Sequence, residues 1–214
     1  MMANSIHNII LDLGGVILNI DPQLTVDAFR KLGWVNFFDE NNQALNKDLF
    51  YNLEMGCSSP EAFRANVRSN IKNQVDDKQI DEAWSAMILD IPSDRIAYLN
   101  MLKKDYRLFL LSNTNEIHKI KFHQEFEEKF GYSLFGLFER NFYSHEMGMR
   151  KPNTQIFIQA LDEAGLIPGE TLFIDDMKDN TDAAQTTGMK VLNIQQGKLL
   201  EYLPQYLENI GLGA

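Results

Sequence analysis

Cysteine is nearly absent from this chain: one residue, Cys57, stands in 214. No intramolecular disulfide can form, which fits a reducing compartment and leads us to expect a cytoplasmic protein. With no second cysteine and no histidine close by in sequence, that thiol reads as buried or idle rather than as a nucleophile. Basic residues are also short, with 20 Lys and Arg against 30 Asp and Glu and a formal net charge of −10. That balance argues against general attraction to nucleic-acid backbones or anionic membrane surfaces. So acidic a chain can hold an anionic substrate only at a local positive site, a metal ion or a lysine. Long apolar runs are missing too, so no membrane span is expected. The N-terminal apolar stretch at 9–20 is interrupted by Asp12, Gly14 and Gly15, a buried-strand pattern rather than a leader. The four histidines offer no metal cluster, since His118 and His123 lie five apart on a helix and face different sides. No repeat, no low-complexity segment and no motif for an oligomeric state is present.

What remains is an ordinary globular composition, 44% hydrophobic and 23% charged, sized for one compact domain or a domain with a smaller insertion. Short apolar runs that read as buried parallel strands occur at 8–13, 107–113, 171–176 and 190–194, with a weaker fifth at 141–146. Helical patterns separate them. The segment 93–105 has a serine cap signal, 153–165 starts beside Pro152 and stops at Gly165, and 180–188 ends in glycine. Strand and helix in alternation predict an α/β fold with an open parallel-sheet, Rossmann-like core. Between 22 and 92 no strand pattern occurs. Helices such as 22–33 and 59–71 fill that stretch, the latter with a capping box expected from Ser58 and Glu61. We read residues 19–93 as an inserted helical cap over the carboxyl edge of a sheet built from 1–18 and 94–214, the edge where open α/β sheets bind ligands. Trp34, Phe37 and Phe38 read as cap core.

Three strand ends and one loop carry polar groups: Asp12, then Ser112-Asn113-Thr114-Asn115, then Lys151 in the loop, then Asp175-Asp176. In a parallel sheet these ends meet on one edge. An aspartate can attack phosphorus, splitting one hard hydrolysis into two easier steps. Magnesium takes oxygen ligands, and Asp12 with the Asp175-Asp176 pair could supply them. A cation is also needed there to stop like charges from raising the carboxyl pKa values. The Ser112 hydroxyl and the backbone N–H groups after it, Asn113 included, could bind phosphoryl oxygens, while Lys151 neutralises charge between phosphate and nucleophile. Each signal has a plainer reading: Asp12 as a turn cap, Ser112 as a turn residue, Lys151 as a loop charge in competition with Arg150, and the acid pair as a helix N-terminal feature. The set of four outweighs them.

The motifs "DLGG", "LLSNTN", "GMRKP" and "FIDDMKDN", in that order, resemble the haloacid dehalogenase-like hydrolase superfamily, with the helical insertion in the place of a cap after the first motif. The wording around them is similar to the subgroup of bacterial α-glucose-1-phosphate phosphatases. The resemblance implies Asp12 as nucleophile, Ser112 as the second-motif hydroxyl and Lys151 as the third-motif lysine. It implies Asp176 as direct metal ligand and Asp175 as an outer or shared one. The departure is Gly14, where phosphatases of this family usually carry a second aspartate that serves as general acid and base. Glycine can offer only its backbone carbonyl to magnesium. A missing general acid costs about 10²–10⁴ in rate, which matters least for acidic leaving groups such as an anomeric or aryl hydroxyl. Asp21 and Glu54 could reach the site from the cap as substitute acids, although a surface charge is the simpler reading of each.

The expected function is therefore a magnesium-dependent phosphatase of a small phosphorylated metabolite, a sugar phosphate such as a sugar 1-phosphate, working through an aspartyl-phosphate. Two alternatives are a metal-independent 2-haloacid dehalogenase, whose first motif also lacks the second aspartate, and a phosphate-ligand binding protein without turnover. A phosphomutase needs the acid that Gly14 removes.

Overall fold

The computed structural model describes residues 6–34 and 47–211. Phe37 and Phe38 lie outside the described residues. Five strands form one sheet: β1 (Asn8–Leu11), β2 (Arg107–Ser112), β3 (Arg140–Tyr143), β4 (Thr171–Asp175) and β5 (Lys190–Asn193). Their order across the sheet is β3-β2-β1-β4-β5, and every pairing is parallel. The chain contains ten α-helices among the described residues: α1 (Pro22–Leu32), α2 (Lys47–Glu54), α3 (Pro60–Asn70), α4 (Asp77–Trp84), α5 (Ser93–Leu102), α6 (Glu116–Phe130), α7 (Ser144–Met147), α8 (Thr154–Ala164), α9 (Lys178–Gln185) and α10 (Leu199–Gly211). None of them is long and apolar enough to cross a membrane.

The central strands read as unbroken apolar runs because both faces are covered. Strand side chains alternate between faces, so Ile9, Leu11, Leu108, Leu110, Leu172 and Ile174 pack on one side with α5, α6 and α10. Ile10, Phe109, Leu111 and Phe173 pack on the other, against α8 and α9. The expected fifth strand at 141–146 is shorter: it ends at Tyr143 and turns into α7. The cause is local, since Ser144 Oγ accepts from the Thr114 N–H and donates to the Thr114 carbonyl, which folds the chain back against the end of β2.

Helices α1 to α4 build a separate cluster around Phe29, Trp34, Phe50, Phe63 and Trp84. Trp84 stacks on Phe50 at 4.9 Å and meets Phe63 at 5.3 Å. The chain enters and leaves this block through two antiparallel segments. Asn19 and Asp21 donate to the carbonyls of Asp90 and Met87, and Leu89 donates back to Asn19. Two cap expectations shift by a residue or vanish. Ser59, not Ser58, caps α3 by accepting from Ala62, and Ser93 lies within α5, whose cap residue is Pro92. A capping box missing from the sequence reading joins Asp76 and Gln79 at α4. In the sequence, "DDKQ" reads equally well as a solvated loop.

Candidate functional site

Asp12 follows β1, Ser112 ends β2 and Asp175 ends β4. Parallel pairing of β2 and β4 with β1 in the middle therefore brings these ends together. Lys151 sits in the turn between α7 and α8, and the bond from it to Pro152 is cis. Its ammonium is 1% exposed and donates to Asp12 Oδ1 at 2.7 Å, to Asp175 Oδ2 at 2.7 Å and to the Leu111 carbonyl at 2.9 Å. Arg150, the competing cation, is directed elsewhere, to Glu54.

The two acids of the β4 end differ. Asp175 is fully buried and saturated with donors: Lys151 and Asn180 on Oδ2, Asn180 and the Met177 N–H on Oδ1. Asp176 is partly exposed and stands against the loop after β1. A Cβ on Gly15, whose φ is +78°, would lie 2.4 Å from Asp176 Oδ2. Only glycine allows that approach. Asp12, Asp175 and Asp176 each bring a carboxylate oxygen within 4.8 Å of the others.

That crowding leaves a surplus of negative charge. Burial pushes the Asp12 carboxyl up to about 7, with Asp175 and Asp176 adding to the effect against the pull of Lys151. Burial and Asp175 likewise raise Asp176. Burial works against the Lys151 charge, but Asp12 and Asp175 outweigh it and raise that ammonium above the ordinary lysine value. One lysine holds two carboxylates and does not neutralise three.

The Asn113 side chain adds a contact that the sequence does not show. Its amide donates to the Lys151 carbonyl at 2.9 Å and accepts from the Lys151 N–H at 2.8 Å, clamping the lysine's backbone. Its side chain is thus committed to Lys151, and only its backbone remains for a ligand. Ser112 is 3% exposed at the strand end. Asn115 caps α6, accepts from the Trp84 indole at 3.4 Å, and keeps its Nδ2 buried without a partner. Asp21 is a helix cap, accepting from Gln23. Glu54 is not a plain surface charge. Its side chain is 20% exposed, paired with Arg150 at 2.8 Å, and its carboxyl is raised by burial. Nothing in the run "YNLEMG" announces this, because the partner lies in another part of the chain. Cys57 is exposed rather than buried. A second acidic group, Glu116 and Glu146 with His145, already encloses the Lys119 ammonium.

A family model for haloacid dehalogenase-like hydrolases matches residues 6–188. A D-ribitol-5-phosphate phosphatase of Bacteroides thetaiotaomicron is 29% identical over 193 residues, covering 90% of this chain and 93% of that protein. The crystal structure of the HAD family enzyme bt-2542 from Bacteroides thetaiotaomicron, in complex with magnesium and inorganic phosphate, superposes with a TM-score of 0.82 at 33% identity. That match covers 90% of this chain and 96% of the other. A HAD-like family hydrolase from Porphyromonas gingivalis gives a TM-score of 0.79 at 32% identity, covering 90% of this chain and 92% of its own.

Proposed function

The chain belongs to the haloacid dehalogenase-like hydrolases, and from that premise we propose that it is a magnesium-dependent phosphatase of a small phosphorylated metabolite with Asp12 as nucleophile. The observation that carries the reading is the Lys151 ammonium bridging Asp12 and Asp175 at 2.7 Å each, with Asp176 beside them. The donor set fits magnesium. It is made of hard carboxylate oxygens, it carries more negative charge than Lys151 balances, and Asp12 and Asp176 have the less occupied oxygens. These two would hold the ion, with the Gly14 carbonyl as a further ligand and Asp175 behind them. A bound magnesium would supply charge neutralisation and Lewis acidity at the phosphate. Relatives support this, since bt-2542 was crystallised with magnesium and phosphate.

One Asp12 carboxylate oxygen attacks phosphorus, while the other stays with Lys151 and would face the ion. The phosphorus–oxygen bond of the leaving alcohol breaks, and a phosphoryl group remains on Asp12 until water removes it. The Ser112 hydroxyl and the backbone after it bind the phosphoryl oxygens. Asn113 keeps Lys151 in place, and Asp175 orients its ammonium. Residues 19–93 act as the cap that excludes bulky phosphoesters and bulk water.

For the substrate we favour a sugar phosphate with an acidic leaving group, such as a sugar 1-phosphate, because Gly14 supplies no proton. A second reading follows the 29% identical relative, whose substrate is an alkyl phosphate; it requires a proton donor other than residue 14. Phosphate release from a panel of anomeric, alkyl and aryl monoesters, with and without magnesium, tests both. Turnover that needs magnesium and disappears in Asp12→Asn is expected, with at least about 10⁴-fold loss. Halide release from a 2-chloroacid, or binding of phosphate without turnover of any ester, would overturn the proposal.

A further inference from the structure

Beside the phosphate site lies an ion pair that the hydrolytic steps do not use. Arg150 immediately precedes Lys151, and its Nε donates to Glu54 Oε2 at 2.8 Å. Tyr51, one turn earlier on α2, stacks under the guanidinium with its ring centre 4.0 Å away. The pair joins the helical insertion to the sheet domain, and both side chains are largely enclosed, at 24% and 20% exposure. Glu54 is near enough to feel the Lys151 charge. Two residues further, Gly56 is pressed onto α7, where a Cβ would sit 2.2 Å from the His145 carbonyl oxygen. The Glu54 backbone is therefore anchored against the same segment that leads to Arg150 and Lys151.

Only part of each group is engaged. Among the described residues, the contacts of the pair leave Arg150 Nη1 and Nη2 and Glu54 Oε1 without a protein partner. A guanidinium held flat by an aromatic ring presents donors in a fixed plane, and the carboxylate next to it presents an acceptor. We propose that Glu54 and Arg150 form the leaving-group subsite of this active site, reading adjacent hydroxyls of a phosphorylated polyol or sugar. One hydroxyl accepts from a guanidinium Nη–H, and its neighbour donates to Glu54 Oε1. The pair is neutral as a whole, so it favours uncharged hydroxyl-bearing groups. A second phosphate or a carboxylate on the leaving group would be placed against the Glu54 charge in a partly enclosed space. This deepens the phosphatase reading and rests on it.

The test compares selectivity rather than activity alone. Steady-state kinetics are measured on a polyol monophosphate, a hydroxyl-free aryl phosphate and a sugar bisphosphate, with magnesium, for wild type, Arg150→Gln, Arg150→Lys and Glu54→Gln. In Arg150→Gln the ratio of kcat/KM for the polyol ester to that for the aryl ester should fall about tenfold, mainly through KM. Arg150→Lys keeps the charge and should recover part of the ratio. In Glu54→Gln the unneutralised Arg150 should raise the bisphosphate-to-monophosphate ratio about tenfold. Equal losses on polyol and aryl esters would overturn the subsite and leave the pair as a structural latch. Wild type that releases phosphate from none of the three would overturn the phosphatase reading, and the subsite with it. Urea denaturation establishes that each variant is folded, so that an equal loss is read on folded protein.

Discussion

The sheet domain and the helical insertion both bury aromatic and aliphatic clusters, yet they differ in what polar material they enclose. In the sheet domain many buried polar side chains crowd toward one edge, among them Asp12, Ser112, Asn115, Ser144, Lys151, Asp175 and Asn180, while Asn8 and Thr171 pair at the opposite ends of their strands. Within the insertion, Thr25 and Ser85 are the buried polar residues among those described. Thr25 serves structure, donating to the Trp84 carbonyl and accepting from the Met87 N–H. One region therefore keeps charges in low dielectric, where each unpaired group is costly. The other is held by packing. Activity is drawn from the sheet edge and stability from both regions, so substitutions in the insertion should separate the two.

Replacing Lys151 should give the largest effect. Lys151→Met keeps an apolar stem of similar length but removes the ammonium that lies over Phe173 and leaves Asp12 and Asp175 without a cation. Loss of one partner from a buried pair costs about 3–5 kcal/mol, and loss of the lysine at the phosphate should lower kcat by about 10³-fold. Urea denaturation and phosphate release check the two together. A variant with unchanged stability would show that the charges at this edge are not the liability described here.

Trp84→Ala, on the insertion side, should cost about 3–5 kcal/mol through lost packing, since the ring contacts Phe50, Phe63 and His118. The same variant, assayed on an aryl phosphate at a temperature where it stays folded, should keep kcat within about tenfold of wild type. A collapse of kcat in the folded variant would break the division between the regions.

These two regions were not equally legible in the sequence. The strands were, because a sheet covered on both faces needs continuous apolar runs, and three of the five runs ended in groups with recognisable chemistry. Asp12, Ser112, Lys151 and Asp175-Asp176 could thus be placed on one edge from topology alone. The short β3 was blurred because Ser144 looks like any polar strand residue until its two bonds to Thr114 are seen. Glu54 and Arg150 were illegible for a different reason: their pairing spans 96 positions and depends on how the insertion sits. The clamp that the Asn113 amide makes on the Lys151 backbone was illegible for the same reason, since the two residues lie 38 positions apart.

Titration offers a smaller contrast, with opposite signs, between histidines of α6, one of them packed against the insertion, and an acid at the sheet edge. Burial depresses His118, which stacks on Trp84 at 4.7 Å, from 6.5 to about 4. Its folded value lies below its unfolded one, so the unfolded chain binds more protons in between. Stability should then rise with pH from about 4 to about 6.5, by about 3 kcal/mol from this residue. His123, also lowered to about 4 by burial and then by Lys119, acts in the same direction. Asp12 runs the other way. Its folded value of about 7 lies above 3.8, so the folded chain keeps the extra proton and stability falls as pH rises through that window. Urea unfolding in a chelator, from pH 4 to 7, should show a steeper rise for Asp12→Asn than for wild type and a shallower one for His118→Phe. Parallel curves for all three proteins would refute the assignment.

The smallest effect concerns the position where chemistry is missing. At Gly14 a Cβ would lie 3.3 Å from Ile20 Cδ1 and 3.6 Å from Ile20 Cγ2. The methyl end of a flexible side chain can give by the few tenths of an ångström needed, so Gly14→Asp is sterically open, whereas Gly15 next to it is not. An aspartic acid here could protonate the departing oxygen. It should raise kcat for alkyl phosphates about tenfold more than for aryl or anomeric ones, whose oxygens leave without help. Equal gains on both classes would mean that the new carboxylate acts through the metal or the fold and not by proton donation. No gain on alkyl esters, in a variant as stable as wild type, would mean that a proton donor already acts from elsewhere. That outcome would favour the alkyl-phosphate reading and send the search for the acid to the insertion, where Glu54 is the enclosed carboxylate beside Arg150.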